Sequence, residues 1–305
     1  MKKKLINICQ QLIRTPSISG NEGLLVEQLQ IIFKEAGLKE IFIDEYGSIT
    51  ACFKGNTSGP KILFDAHIDV VPVTDAIKWH HNPFGGDIED GKIYGRGASD
   101  MKGSLTAMIV AASAFIEKNG NNFNGEIYIS GVVHEECFEG VAARKISKRI
   151  KPDFVVIGEA SELNIKCGQR GRAEIVIEVV GKSAHSANPD KGINAVQKMM
   201  RLLNEVEKLE LPSNDFLGKG IMVLTDIISS PYPGASVVPN YCKVTFDRRL
   251  LVGETPEEVL NPIKRLINEM KKVDHDFRAN VFVGKASQTC YTGSTIQGKR
   301  FFQHG

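Results

Sequence analysis

KILFDAHIDVVPV, residues 61 to 73, is the stretch on which the fold turns. Ile62, Leu63 and Phe64 form an unbroken apolar segment, the pattern of a strand covered on both faces in a parallel sheet. His67 and Asp69 follow, two residues apart. On an extended backbone that spacing puts both side chains on one face, so the Asp69 carboxylate can hold the imidazole while the other ring nitrogen binds a metal. A plainer alternative stands beside this one: a lone histidine at a strand end, satisfied by a neighbouring aspartate.

Three later apolar runs end in the same way. Ile88 to Arg96 leads into GRGASDMKGS, which places Asp100 just before a helix-like segment from Leu105 to Lys118. Gly125 to Val133 reads as a strand that terminates in His134, Glu135 and Glu136, and Phe154 to Gly158 as a buried strand that terminates in Glu159. In open α/β sheets ligands sit beyond the carboxyl ends of the strands, so these acids and His67 share a claim on one crevice. Several carboxylates stay ionised together in a partly dry site only if cations are present. One or two divalent metals answer that charge. One imidazole with several carboxylates suits zinc, with cobalt or manganese as alternatives, and argues against a thiolate cage or a calcium loop. Asp100 can bridge two ions about 3.5 to 4 Å apart. Glu135 and Glu136 point to opposite faces on a straight strand, so both reach one site only if the chain leaves the strand there, and the turn after Glu136 serves. One of the pair then binds metal while the other is the base that takes a proton from water.

DAHIDVVP, WHHNPFGGDIEDGKIYGRGASDMKGS, HEECFEG and IGEAS, in that order and at these intervals, resemble the zinc-dependent M20 metallopeptidases and amidohydrolases. That family includes carboxypeptidases, succinyl-diaminopimelate desuccinylase, acetylornithine deacetylase and aminoacylases. The resemblance implies that His67 and Glu159 are ligands of a first metal, Asp69 the orienting partner of His67, Asp100 the bridge, Glu135 the general base and Glu136 a ligand of a second metal. It also implies a cis peptide bond between Asp100 and Met101, and a metal-dependent hydrolase of a small carboxylate-bearing amide, either a peptide or an N-acyl amino acid.

Around this centre, 305 residues with 42% hydrophobic content fit a globular protein large enough for two domains. A formal charge of +2 gives no argument for nucleic acid or an anionic membrane. MKKK opens like the charged part of an export signal, but the apolar run after it lasts only from Leu5 to Cys9, so neither export nor a membrane span is expected. The six cysteines lack CxxC pairs, which suits reduced thiols in a cytoplasm; Cys137, beside Glu136, reads first as a buried small hydrophobe. Lys2 to Arg14 and Asn21 to Ala36 read as amphipathic helices separated by TPSISG, the second with a stripe of Leu24, Leu25, Gln28, Leu29 and Ile32. Short strands follow at Ile41 to Ile43 and Ile49 to Phe53.

From Arg172 the pattern changes to strict alternation, Glu174, Val176, Glu178 and Val180 against Ile175, Ile177 and Val179. A helix from about Gly192 to Leu209, with Val196, Met200, Leu203 and Val206 on one side, strands at Ile221 to Ile228 and Val237 to Leu250, a helix opened by the capping box of Thr255 and Glu258, and a strand at Ala279 to Val283 complete the order βαββαβ. That is a ferredoxin-like module. The expectation is therefore an α/β catalytic domain with a mixed sheet over residues 1–168, an inserted ferredoxin-like α+β domain over 169–284, and the start of a return to the first domain over 285–305.

The resemblance makes the inserted domain a lid and a homodimer interface. It makes His185, in GKSAHSANPD, a group that stabilises the oxyanion, and Arg249, in FDRRLLVGET, the partner of a substrate carboxylate. The neighbouring Arg248 reads as structural. DRRLLVGET and CYTGS resemble, more weakly, a branch assigned to selenium metabolism. Relatives carry a further metal-binding histidine in an FGPG…AH segment, whereas this chain ends GKRFFQHG, which reads as a C-terminally truncated member with a weakened second metal site. A catalytically impaired fragment acting only as a dimerising module is the alternative.

Overall fold

The computed structural model describes residues 1–138, 140–284 and 290–292, in two compact units. The first holds residues 1–138, 140–164 and 290–292, and the second holds 165–284. Residues 165–170 belong with the second unit: Gly168 lies against the Phe216 ring and the Arg170 guanidinium donates to the Leu217 carbonyl. Of the expected 285–305 segment, all but 290–292 lies outside the described residues, His304 included.

The first unit opens with helices α1 (Lys2–Arg14) and α2 (Gly23–Glu35), then strands β1 (Glu40–Ile43), β2 (Ile49–Lys54) and β3 (Thr57–His67). A separate hairpin follows, β4 (Asp87–Glu89) with β5 (Lys92–Tyr94), then helix α3 (Gly103–Asn119), strand β6 (Asn124–Val132), the single turn α4 (Glu135–Phe138), helix α5 (Val141–Ile150) and strand β7 (Phe154–Ile157). The sheet order is β1-β2-β6-β3-β7. The β1, β2 and β6 pairings are antiparallel, and β3 runs parallel to both β6 and β7. Consecutive residues of a strand face opposite ways, so the unbroken burial of Ile49 to Cys52 on β2 and of Tyr128 to Val132 on β6 means that both faces of the sheet centre are covered. Leu25, Leu29 and Phe33 of α2 and Leu105 and Ile109 of α3 fill that core.

Three sequence expectations for the first unit need correction. The run Ile88 to Arg96 ends no strand of the main sheet, because a positive φ of 74° at Gly91 folds it into the β4–β5 hairpin. The segment Phe154 to Ile157 is exposed rather than buried, because β7 is the edge of the sheet. On α2 the buried stripe is Leu25, Val26, Leu29, Ile32 and Phe33, and Leu24 faces solvent.

The second unit runs β8 (Gly171–Val180), α6 (Ala195–Val206), the small hairpin β9 (Ser213–Asn214) with β10 (Gly218–Lys219), β11 (Ile221–Ser230), β12 (Tyr241–Leu250), α7 (Asn261–Val273) and β13 (Arg278–Val283). Its sheet has the order β11-β12-β8-β13 with every neighbouring pair antiparallel, the arrangement of two interleaved βαβ units. Ile175, Ile177 and Val179 pack against Met199 and Leu202 of α6 and Ile263 and Ile267 of α7. On α6 it is Ala195, Met199, Leu202 and Val206 that are buried, and Met200 is exposed. Thr255 and Glu258 form the capping box, each accepting the other's backbone N–H, one short turn ahead of α7.

Candidate metal centre

β6, β3 and β7 are parallel neighbours, so their carboxyl ends open on one edge of the sheet. His67 is the last residue of β3 and pairs with Val132, while Asp65 pairs with Ile157 at the end of β7. The chain leaving β7 passes through Gly158, where an added Cβ would stand 2.5 Å from Met108 Cε and 2.8 Å from Met101 Cε. That close approach brings Glu159 over the turn that carries Asp100.

This turn, Ala98–Lys102, is entered through Gly97 at a φ of 83°, and an added Cβ there would meet Val70 Cγ1 at 2.8 Å. The Asp100–Met101 bond is cis, as the family resemblance implies. Two contacts fix the turn: Met101 Sδ accepts the His67 amide at 3.3 Å, and the fully buried Lys102 Nζ donates to the carbonyls of Leu12 and Thr15, both at 2.9 Å. Those carbonyls end α1, where a cation is favoured. Burial pushes the Lys102 ammonium down to about 7.

His67 Nε2 lies 2.8 Å from Asp100 Oδ1 and 3.5 Å from Glu159 Oε1. These three residues each offer one ligand atom within 4.8 Å of the others, and they are the group among the described residues that can hold a metal ion. The imidazole is buried and the two carboxylates are exposed. Burial alone would depress the His67 imidazole, but Asp100, Asp69, Glu135 and Glu159 outweigh it and push it up to about 9. His67 in return holds the Asp100 carboxyl below the usual range. Burial first, and the surrounding acids next, push Glu135 up to about 7 and raise Glu136 and Glu159. A nitrogen and two oxygens converging amid this excess of negative charge fit a divalent cation of the zinc type.

The role expected for the Asp69 carboxylate needs correction. His67 Nδ1 donates to the Asp69 backbone carbonyl at 2.9 Å, while the nearer carboxylate oxygen stands 3.7 Å away. The carbonyl can only accept, so Nδ1 keeps its proton, and the Nε2 proton, held by Asp100 Oδ1, is the one an ion would displace. The carboxylate, fully buried, accepts instead from the amides of Glu135 at 3.0 Å and Glu136 at 3.1 Å, and from Ser19 Oγ at 2.6 Å. It caps the amino end of α4. Nor does the turn lie after Glu136. His134, with a φ of 62°, turns the chain out of β6 before the two glutamates, so both leave the strand on one helical turn. Glu136 is outside the three-residue group and feels Asp100 as its strongest charged neighbour.

Glu22 also belongs to this support. Buried, it accepts the Gly20 amide at 2.9 Å and the His134 amide at 3.2 Å, and its Oε1 lies 3.2 Å from His134 Nδ1. Ser19, Glu22 and Lys102 are absent from the site residues expected of the sequence, and their only signal is a polar residue in a breaker, at a helix start or in a turn. Most of the long WHHNPF motif serves the hairpin: His81 stacks on Tyr94 and meets Asp87 and Glu89, while Arg96 covers Trp79.

His185 and Arg249 are in the second unit. His185 is exposed, and its Nδ1 accepts the Ala187 amide at 3.1 Å. Arg249 is exposed, with its Nε on Asp247 at 2.7 Å, and Arg172 holds the other Asp247 oxygen at 2.5 Å. Arg248 is buried and pairs with Glu254 at 2.6 Å, the structural part expected of it.

YgeY of Escherichia coli (strain K12) is 34% identical over 262 residues, which cover 84% of this chain and 64% of that protein. The chain thus spans less than two thirds of that relative's length. A succinyl-diaminopimelate desuccinylase of Coxiella burnetii (strain RSA 493 / Nine Mile phase I) is 28% identical over 303 residues, 95% of this chain and 78% of that one. Among solved structures, the YXEP protein of Bacillus subtilis, a dinuclear metal binding peptidase from the M20 family, has a similar fold, with a TM-score of 0.63 at 17% identity over 93% of this chain and 74% of that one. The model of Peptidase family M20/M25/M40 matches residues 63–273, a span that starts inside β3 and takes in His67, Asp100, Glu135, Glu136 and Glu159, and on that match the chain belongs to peptidase family M20/M25/M40.

Proposed function

We propose that the chain is a metal-dependent hydrolase that cleaves a peptide or N-acyl bond next to a carboxylate, with zinc held by His67, Asp100 and Glu159. Cobalt and manganese suit the same donors. The observation that carries this reading is the convergence of His67 Nε2 with one oxygen each from Asp100 and Glu159. Membership of a peptidase family, a desuccinylase relative and a dinuclear peptidase neighbour support it. Asp100 and Glu136 are the residues for a second ion. When bound, zinc supplies the Lewis acidity that acidifies water and polarises a carbonyl oxygen.

The chain's own groups do the rest. Glu135, placed by the hold of Asp69 on its amide, takes the proton of the attacking water and returns it to the leaving nitrogen. His67 is kept in the Nδ1–H form by the Asp69 carbonyl, which makes Nε2 the ring nitrogen that would offer its lone pair to the ion. His185 donates to the carbonyl oxygen as negative charge gathers there. Arg249, oriented by Asp247, pairs with the substrate carboxylate. The protein works in the cytoplasm as a homodimer joined through its second unit, in which strand β11 leaves Ile221, Val223, Leu224, Ile227 and Ile228 exposed.

Amine release from N-acyl amino acids and from dipeptides, measured on the full chain with added zinc or cobalt, tests the reading. Turnover by the loaded chain, with kcat lowered by roughly 10² to 10⁴ in Glu135→Gln at unchanged metal content, is expected. A zinc-loaded dimer that turns over none of these substrates would favour the dimerising module instead.

A further inference from the structure

Cys137 and Cys290 meet on the flank of α4, in a small cluster with Phe138, Tyr46 and Val141. The Cys290 thiol is buried, lies within hydrogen-bond reach of the Cys137 thiol, and its Sγ is 3.4 Å from His134 Nδ1. Cys137 is half-buried. The other thiols have different company: Cys9 meets Thr106, Cys52 meets Tyr128, Cys242 lies in the core of the second unit, and Cys167 is exposed on that unit. Burial, with Cys137 next in effect, pushes Cys290 up to about 12, so it waits as a protonated thiol.

What the pair joins gives it consequence. Cys137 shares the single turn of α4 with Glu135 and Glu136. Cys290 belongs to the segment 290–292, in which Thr292 Oγ1 donates to the Ser19 carbonyl at 3.2 Å, and the Ser19 hydroxyl in turn holds Asp69. A covalent bond between the two sulfurs would tie this segment to the turn that presents both glutamates.

We infer that Cys137 and Cys290 form a redox modification site, closed to a disulfide by a hydroperoxide. The more accessible Cys137 sulfur attacks one oxygen of hydrogen peroxide. The O–O bond breaks, Cys137 becomes a sulfenic acid, and the hydroxide released takes up the thiol proton as water. Cys290 then attacks the sulfenyl sulfur, the S–S bond forms, and the sulfenic hydroxyl leaves with the Cys290 proton as a second water. Two thiols lose two electrons and two protons, and one peroxide is reduced to two waters. A dithiol reverses the bond by exchange. Only the effect on hydrolysis rests on the proposed function, and the bond itself does not.

The test uses the full chain in a Cys167→Ser background, reduced and then treated with one equivalent of hydrogen peroxide, followed by non-reducing proteolysis and mass spectrometry. The expected result is one cross-linked peptide pair joining Cys137 to Cys290, with both thiols recovered by dithiothreitol. In Cys290→Ser, Cys137 is expected to be trapped by dimedone as its sulfenic acid. A sulfenic acid at Cys137 without a cross-link in the presence of Cys290, a cross-link to Cys9, Cys52 or Cys242, or no reaction at either residue would overturn the inference. Closure is expected to lower zinc affinity by roughly tenfold or more, as disturbed support of metal ligands does, with recovery on reduction. If the bond forms but even the reduced chain hydrolyses nothing, the hydrolase reading fails and the thiol site stands.

Discussion

His67 and the acids around it set how the chain responds to pH. With no ion bound, His67 is held up at about 9 and Glu135 at about 7, and Asp69, Glu136 and Glu159 are raised, chiefly by burial. A raised carboxyl contributes stability at low pH and loses it as pH climbs through its folded value. The raised imidazole likewise contributes fully below its ordinary 6.5 and loses that contribution as pH climbs through about 9. The signs agree for these groups, but Lys102, pushed down to about 7, regains stability as pH climbs above that value and offsets the loss from His67, so the melting temperature of the chelator-treated chain is expected to fall from about pH 5 to about pH 7 and to change little above it. Zinc competes with the same protons, so the rise in melting temperature on adding zinc is expected to be larger at about pH 8 than at about pH 5.5. Equal shifts at both values, read by calorimetry, would count against ligation by these side chains. At this scale the sequence was informative where a side chain closes an apolar run, as His67 and Glu159 do. It misplaced the Asp69 carboxylate, because whether a carboxylate faces the imidazole or the amides of another loop depends on a path through space that spacing alone does not encode. Ser19, Glu22 and Lys102 were hidden for a related reason: burial of a polar side chain is a property of the packed chain, and in a linear reading Ser19 and Lys102 look like solvated loop and Glu22 like a solvated helix start.

Among the elements, α4 is the one whose position the site depends on. A four-residue turn has little stability of its own, and its amino end is held by the two oxygens of Asp69. In Asp69→Asn one accepting oxygen becomes a donor, so an amide of Glu135 or Glu136 loses its partner. We expect a loss of about 1 to 3 kcal/mol in stability and of roughly 10- to 100-fold in zinc affinity, read by thermal melts and zinc titration. A variant that melts and binds zinc like the parent would remove Asp69 from this role. The long periodic elements were legible: α1 and the alternating β8 follow directly from their apolar spacing. The short ones were not. The Ile88 to Arg96 run has strand composition but belongs to a local hairpin, and β7 is apolar yet exposed, because which strand becomes an edge is decided by sheet order rather than by its own residues. The turn that brings Glu135 and Glu136 together sits at His134 because that residue adopts the left-handed conformation, which no glycine announced.

For the molecule as a whole, the change from buried runs to strict alternation near Arg172 was enough to read a second unit and its βαββαβ order. No described helix is long and apolar enough to cross a membrane. The exposed apolar side chains of the edge strand β11 are a liability unless covered, which supports the proposed dimer. Ile227→Lys is expected to shift the mass found by light scattering from two chains to one, without change in the melting of the second unit. A persisting dimer would move the interface elsewhere. Anomalous diffraction at the zinc edge, from crystals of the full chain grown with zinc, checks whether His67, Asp100 and Glu159 together hold a metal ion as proposed. A peak is expected within about 2.0 to 2.2 Å of His67 Nε2 and of a carboxylate oxygen from each of Asp100 and Glu159. Zinc bound elsewhere on the chain, with these three side chains unligated, would contradict it.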